Sequence, residues 1–122
     1  MGNIKNILVV DDSETNVLLL QRLLEEEGYI IDYAYSGNAA YKMLDKKKFD
    51  LILLDIMLPG IDGFDILSKV KETQDIKHTP IIMVTAKDDG DSQQKAKKMG
   101  ANDYLIKPVE FEKLKQLIQK YE

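Results

Sequence analysis

The 122-residue sequence contains no cysteine. Disulfides, thiolate zinc sites and cysteine nucleophiles are therefore excluded, while the compartment stays open. Long hydrophobic runs are missing too. The longest apolar stretches, such as Leu51–Leu54 and Val17–Leu20, are far too short to cross a bilayer. Met1 to Lys5 leads at once into Asn6 and a short apolar-acidic run, which is not a signal-peptide pattern. Nor is there a basic surplus. Lys and Arg number 17 against 21 Asp and Glu, a net charge of −4 that suits solubility and argues against a nucleic-acid footprint. The Lys46–Lys48 run and Lys95, Lys97 and Lys98 read as solvated helix ends and faces. The sole histidine, His78, stands in a polar stretch before Pro80 and is not read as a catalytic base. The expectation is a soluble, cytoplasmic protein with no membrane and no direct nucleic-acid partner.

What is present is a regular alternation of two periods over residues 1–122, a length that fits one domain. A chain of this size buries roughly two thirds of its unfolded surface and needs no staples. Short β-rich apolar runs occur at Asn6–Val10, Tyr29–Tyr33, Leu51–Leu54, Pro80–Val84 and Tyr104–Ile106. Between them lie helical stripes: Val17, Leu20 and Leu24; Ala40, Met43 and Leu44; Phe64, Leu67 and Val70; then Phe111, Leu114, Leu117 and Ile118. Asp91–Met99 is helical in composition but poor in apolar residues, which predicts a short, exposed, lightly packed helix. Gly28 and Gly100 read as helix stops, and Ser13, Ser36 and Ser92 as N-caps. Met43, Met83 and Met99 read as core filling, and Tyr29, Tyr33, Tyr35 and Tyr41 as sheet and helix surface.

Five β-α units imply an α/β fold, a doubly wound parallel sheet with helices on both faces. Ligands of such sheets bind beyond the carboxyl ends of the strands. Asp11 and Asp12 follow the first run and Asp55 closes the third, so three carboxylates converge on that crevice. Clustered like charges destabilise a fold unless a cation compensates them. Oxygen donors without His or Cys suit a hard, partly hydrated ion, with Mg²⁺ the best candidate. Lys107 ends the fifth run on the same edge, where an ammonium can pair with carboxylates and neutralise a transferred phosphoryl group. Thr85 closes the fourth run and offers a hydroxyl. Each residue alone would be ordinary; together they suit phosphate chemistry at an aspartate.

The segments ILVVDDS, DLILLDIMLPGIDGFDIL, PIIMVTA and GANDYLIKPVEFEKL resemble the receiver domains of two-component response regulators. The resemblance covers essentially the whole chain and rests on four separate motifs. It implies a flavodoxin-like sheet of order 2-1-3-4-5 with five helices. It also implies phosphoryl transfer to Asp55 from a sensor histidine kinase or a histidine phosphotransfer protein. Asp12, Asp55 and the Met57 carbonyl would bind Mg²⁺ directly and Asp11 through water, with Mn²⁺ able to substitute. Thr85 and Lys107 would contact the phosphoryl oxygens, Thr85 and Tyr104 would form the switch, and Met57 and Lys87 would tune hydrolysis. Beyond slow self-dephosphorylation, no enzymatic turnover is implied. A cis bond before Pro108 would aim Lys107 into the pocket, and Gly63 would relieve the backbone before the third helix. Two departures are small: Val109 replaces a bulkier aromatic, and Glu110 is a weaker cap than Asp or Ser.

Three other readings compete for these residues. A flavodoxin-like FMN binder would want a Ser, Thr and Gly-rich loop after strand one, where Asp11-Asp12-Ser13-Glu14 would repel a phosphate. A haloacid-type phosphatase would want its nucleophile after strand one and a cap domain. A non-phosphorylated interaction module would need no metal. At about 100° per residue, Leu19 falls opposite the stripe of Val17, Leu20 and Leu24, beside Thr15 and Asn16. With Pro108 and Val109 these residues form a candidate dock for a phosphohistidine donor. A downstream protein target, and a monomer or weak phosphorylation-dependent dimer, complete the expected partners. The sequence ends directly after the fifth predicted helix, which fits either a stand-alone shuttle or a receiver cut from a longer protein.

Overall fold

The structure, a computed structural model, describes residues 2–122. Its elements alternate as β1 (Asn6–Val10), α1 (Glu14–Glu26), β2 (Ile30–Ala34), α2 (Gly37–Lys46) and β3 (Leu51–Leu54). They continue as α3 (Gly63–Glu72), β4 (Ile81–Thr85), α4 (Gly90–Lys98), β5 (Asp103–Ile106) and α5 (Phe111–Gln119). All five strands are parallel, in the order β2-β1-β3-β4-β5. This is the flavodoxin-like arrangement expected from the sequence.

Strand periodicity divides the core into two layers. Leu8, Val10, Ile52, Leu54, Ile81 and Met83 meet the inner faces of α2, α3 and α4, including Ala40, Ile66, Leu67, Val70 and Ala96. Ile7, Val9, Leu51, Leu53, Ile82 and Val84 meet Val17, Leu20 and Leu24 of α1 and Leu114 and Ile118 of α5. Both sheet faces are covered, so β3 is apolar throughout and β1 and β4 carry a polar residue only at one end, Asn6 and Thr85, instead of alternating. Each fully buried Leu or Ile contributes about 1.5–3 kcal/mol, enough to fix the register and hence the strand ends.

Several boundaries differ from the sequence expectation. β2 begins at Ile30 and ends at Ala34, one residue later than the apolar run suggests. β4 likewise begins after Pro80, which has no N–H to give the ladder but whose carbonyl accepts from Ile52 N at 3.0 Å. β5 starts one residue early, at Asp103. Ser13 and Ser36 cap α1 and α2, accepting from Asn16 N and Ala39 N. Ser92 is not a cap. Asp89 caps α4 instead, taking the Ser92 N–H at 2.9 Å and leaving Ser92 buried inside the helix. The stronger acceptor three residues upstream wins that position. Glu110 precedes α5 without any side-chain cap bond, in keeping with its weakness there. Gly28 and Gly100 follow α1 and α4 with positive φ.

α4 is lightly packed, as its composition suggests. It buries only Ser92 and Ala96. Its Lys95 ammonium lies 4.2 Å from the centre of the Phe64 ring on α3, a cation–π contact that ties the two helices.

Candidate functional site

Parallel pairing places Val10 beside Leu54, so the residues that follow, Asp11 and Asp55, leave the sheet side by side. Asp11 and Asp55 are almost fully buried, at 3% and 4% exposure, while Asp12 stands open to solvent. Asp11, Asp12 and Asp55 each present a carboxylate oxygen within 4.8 Å of the others. Each buried carboxylate is held on one side by the N–H two residues on: Ser13 N to Asp11 Oδ1 at 2.9 Å, and Met57 N to Asp55 Oδ1 at 3.0 Å. The Asp-x-x spacing could have revealed these bonds in advance, because Asp side chains favour such local turns.

The remaining oxygens share one cation. Lys107 Nζ donates to Asp11 Oδ2 at 2.6 Å and to Asp55 Oδ2 at 2.9 Å. Burial alone lowers the ammonium's pKa, but the hydrogen bonds and charges of Asp11 and Asp55 outweigh it and leave the pKa raised. The Lys107–Pro108 bond is cis. Gly63 has a different reason to be glycine from the one expected. Its φ is not positive, but a Cβ there would lie 2.3 Å from the Asp55 carbonyl oxygen and 2.6 Å from Ile56 Cα. The start of α3 is thus pressed against the backbone of the central aspartate.

Thr85 is completely buried at the end of β4, and its Oγ1 accepts from Lys87 N at 3.4 Å. The Tyr104 hydroxyl donates to the Lys87 carbonyl at 2.7 Å and so spans from β5 to the loop after β4. Burial first, then the charges of Asp89, Asp55 and Asp88, push the Tyr104 pKa up. Tyr104 is therefore within electrostatic reach of the central carboxylate.

Two grooves flank the cluster. One, of about 390 Å³, is lined by Asn16, Leu19, Leu23, Lys107, Pro108 and Val109, among others. Leu19 is 57% exposed there, on the α1 flank facing the start of α5. Thr15 is exposed but does not line this groove. Leu23, Val84 and Phe111 do line it, and sequence reasoning missed them because a core stripe and a groove wall share the same apolar signal. The second groove, of about 640 Å³, runs past Asp12, Met57, Phe64, Lys87 and Lys95. Phe64 and Lys95 were not anticipated, since nothing in the chain signals a contact between residues 31 positions apart.

The fit to a cation rests on the donors themselves. Asp11, Asp12 and Asp55 supply only carboxylate oxygens, at a spacing that one small hard ion spans. The family model for the response regulator receiver domain matches residues 7–119. The chain belongs to that family. As a receiver domain it is 40% identical over 104 residues to the response regulator PleD of Caulobacter vibrioides, covering 85% of this chain and 23% of PleD. It superposes on the chemotaxis protein CheY4 of Vibrio cholerae with a TM-score of 0.91, at 30% identity, over 98% of this chain and 99% of that one. The receiver domain of the sensor histidine kinase PA1611 of Pseudomonas aeruginosa, solved with magnesium coordinated in its active-site cleft, matches with a TM-score of 0.87. It is 27% identical, over 99% of this chain and 98% of that one. The receiver domain spans less than half the length of the response regulators it matches in sequence. Neither the flavin-binding reading nor the unmodified-module reading gains support from these likenesses.

Proposed function

We propose that Asp55 of this receiver domain accepts a phosphoryl group from the phosphohistidine of a sensor kinase or histidine phosphotransfer protein. One observation carries the reading: Asp11, Asp12 and Asp55 converge, and a single ammonium from the far edge of the sheet, Lys107, bridges the two buried carboxylates. Asp12 lies outside that bridge and stands open to solvent, where a cation could reach it. Asp12, Asp55 and the Met57 carbonyl would hold Mg²⁺ or Mn²⁺ directly, with Asp11 acting through water. The bound cation would neutralise charge between the carboxylates and the incoming phosphoryl oxygens.

The protein's own groups then have defined roles. The Asp55 carboxylate attacks phosphorus as the bond to the histidine nitrogen breaks, and the imidazole leaves with the electron pair. Lys107 would follow the charge from carboxylate to phosphoryl oxygen, and the Thr85 hydroxyl would donate to another. Drawing Thr85 toward the phosphoryl group would disturb its contact with Lys87 N, next to the carbonyl that anchors Tyr104. The α4-β5-α5 face, with α4 so lightly packed, would pass this change to a downstream protein. Met57 and Lys87, with neither carboxylate nor amide to orient water, would give a long-lived acyl phosphate that the domain hydrolyses slowly. Leu19, Asn16, Pro108 and Val109, with Thr15 at the rim, would dock the donor. The domain would work in the cytoplasm as a monomer or a weak phosphorylation-dependent dimer. Among the described residues no helix is long and apolar enough to cross a membrane.

The test is intact-protein mass after incubation with acetyl phosphate. A Mg²⁺-dependent gain of one phosphoryl group supports the reading, and no gain under any divalent cation refutes it.

A further inference from the structure

We propose that Met57 is a peroxide-sensitive modification site, and that its sulfoxide shortens the life of a phosphoryl group on Asp55. This rests on the acceptor reading above. Exposure separates Met57 from the other methionines among the described residues. Met57 is 51% exposed, whereas Met83 is fully buried and Met43 and Met99 are packed against the core. Thioether oxidation follows exposure, so Met57 is the methionine of the described residues that a small oxidant reaches first.

Its position gives the modification a consequence. The Met57 N–H holds Asp55 Oδ1 at 3.0 Å, and the residue lines the groove that passes Asp12, Lys87 and Lys95. An apolar thioether there offers an attacking water almost no hydrogen-bond partner. In the oxidation, a sulfur lone pair attacks one oxygen of hydrogen peroxide as the O–O bond breaks. The S–O bond forms, the peroxide protons leave with the second oxygen as water, and sulfur loses two electrons that the peroxide gains. The product is polar and a strong hydrogen-bond acceptor. Two lysines line the same groove as cationic donors, so the sulfoxide can be held there and bind water two residues from the acyl phosphate. A side chain with no partner for water would then have one.

Peroxide treatment followed by peptide mass mapping gives the first readout, independent of phosphorylation. The Met57 peptide is expected to gain oxygen several-fold faster than those of Met43, Met83 and Met99. The second readout is the decay of protein loaded with acetyl phosphate. Oxidised protein should lose its phosphoryl group several-fold faster, methionine sulfoxide reductases should restore the slow decay, and Met57→Leu should show no response to peroxide. Met57→Gln should decay fast without peroxide. Equal oxidation of Met43, Met57, Met83 and Met99, or an equal peroxide response in Met57→Leu, overturns the proposal. Normal loading with a lifetime unchanged by Met57 oxidation also overturns it, and it alone. Failure of untreated protein to load at all sinks the acceptor reading, and this proposal with it.

Discussion

Lys107 bridges Asp11 and Asp55 across the carboxyl edge of the sheet, with Nζ 2.6 Å from one carboxylate and 2.9 Å from the other. Three strands contribute to this contact, because Asp11 follows β1, Asp55 follows β3 and Lys107 follows β5. The ammonium compensates two buried acids that would otherwise face each other alone. Removing it leaves that repulsion unanswered, so Lys107→Ala should cost about 3 kcal/mol in urea unfolding. An unchanged midpoint would mean that the bridge is incidental.

The same bridge sets an alkaline limit. Lys107 has a raised pKa when folded, against an ordinary 10.5. Tyr29 is pushed up to about 12 by burial and by its hydrogen bond to Glu122. Both groups hold their protons more tightly when folded. Their contribution is complete below the unfolded values and is lost as pH rises through the folded ones. Melting temperature should therefore hold steady through neutral pH and fall above about pH 10, less steeply in Tyr29→Phe. A decline that begins on the acid side of neutrality would not come from these groups.

Metal should act on stability as well as chemistry. Mg²⁺ at ten times its dissociation constant should stabilise the fold by about 1.4 kcal/mol. Asp12→Ala should raise stability in EDTA by removing one like charge, and should abolish the Mg²⁺ response. Identical melting curves in EDTA and in millimolar Mg²⁺ would count against the site.

Switching should spread along the route from Thr85 through Lys87 to Tyr104. Beryllofluoride with Mg²⁺ should shift amide resonances in α4, β5 and the start of α5, and Tyr104→Phe should shrink the changes beyond the loop after β4. Shifts confined to the residues around Asp55 would show that the α4-β5-α5 face does not respond.

Leu19 is expected to serve the encounter with the donor and not the chemistry. Leu19→Ala should slow transfer from a phosphohistidine donor protein about tenfold, the effect of losing a modest interface anchor. Labelling by acetyl phosphate should not change. Equal losses with both donors would assign Leu19 to the fold.

Much of this was legible in the chain because apolar runs in a parallel sheet end where the ligand edge begins. Asp11, Asp55, Thr85 and Lys107 each terminate such a run, so reading the strands already brought them to one crevice. The misses have local physical causes. Pro80 is apolar enough to extend a run but has no N–H for the ladder. Ser92 is a good cap residue, yet Asp89 is a better one three residues earlier. Gly63 answers to a backbone neighbour that only the folded chain supplies. The Phe64–Lys95 contact joins a core residue to a surface cation across two helices, and no local pattern encodes it.

Asp55, and not Asp11 or Asp12, is the residue proposed to carry the phosphoryl group. Borohydride reduction of acetyl-phosphate-treated protein converts an aspartyl phosphate to homoserine, which peptide mass mapping then places in the sequence. Homoserine is expected at position 55 alone, dependent on Mg²⁺ and absent from Asp55→Asn. Homoserine at position 11 or 12 in the wild-type protein, or undiminished label in Asp55→Asn, would contradict that assignment.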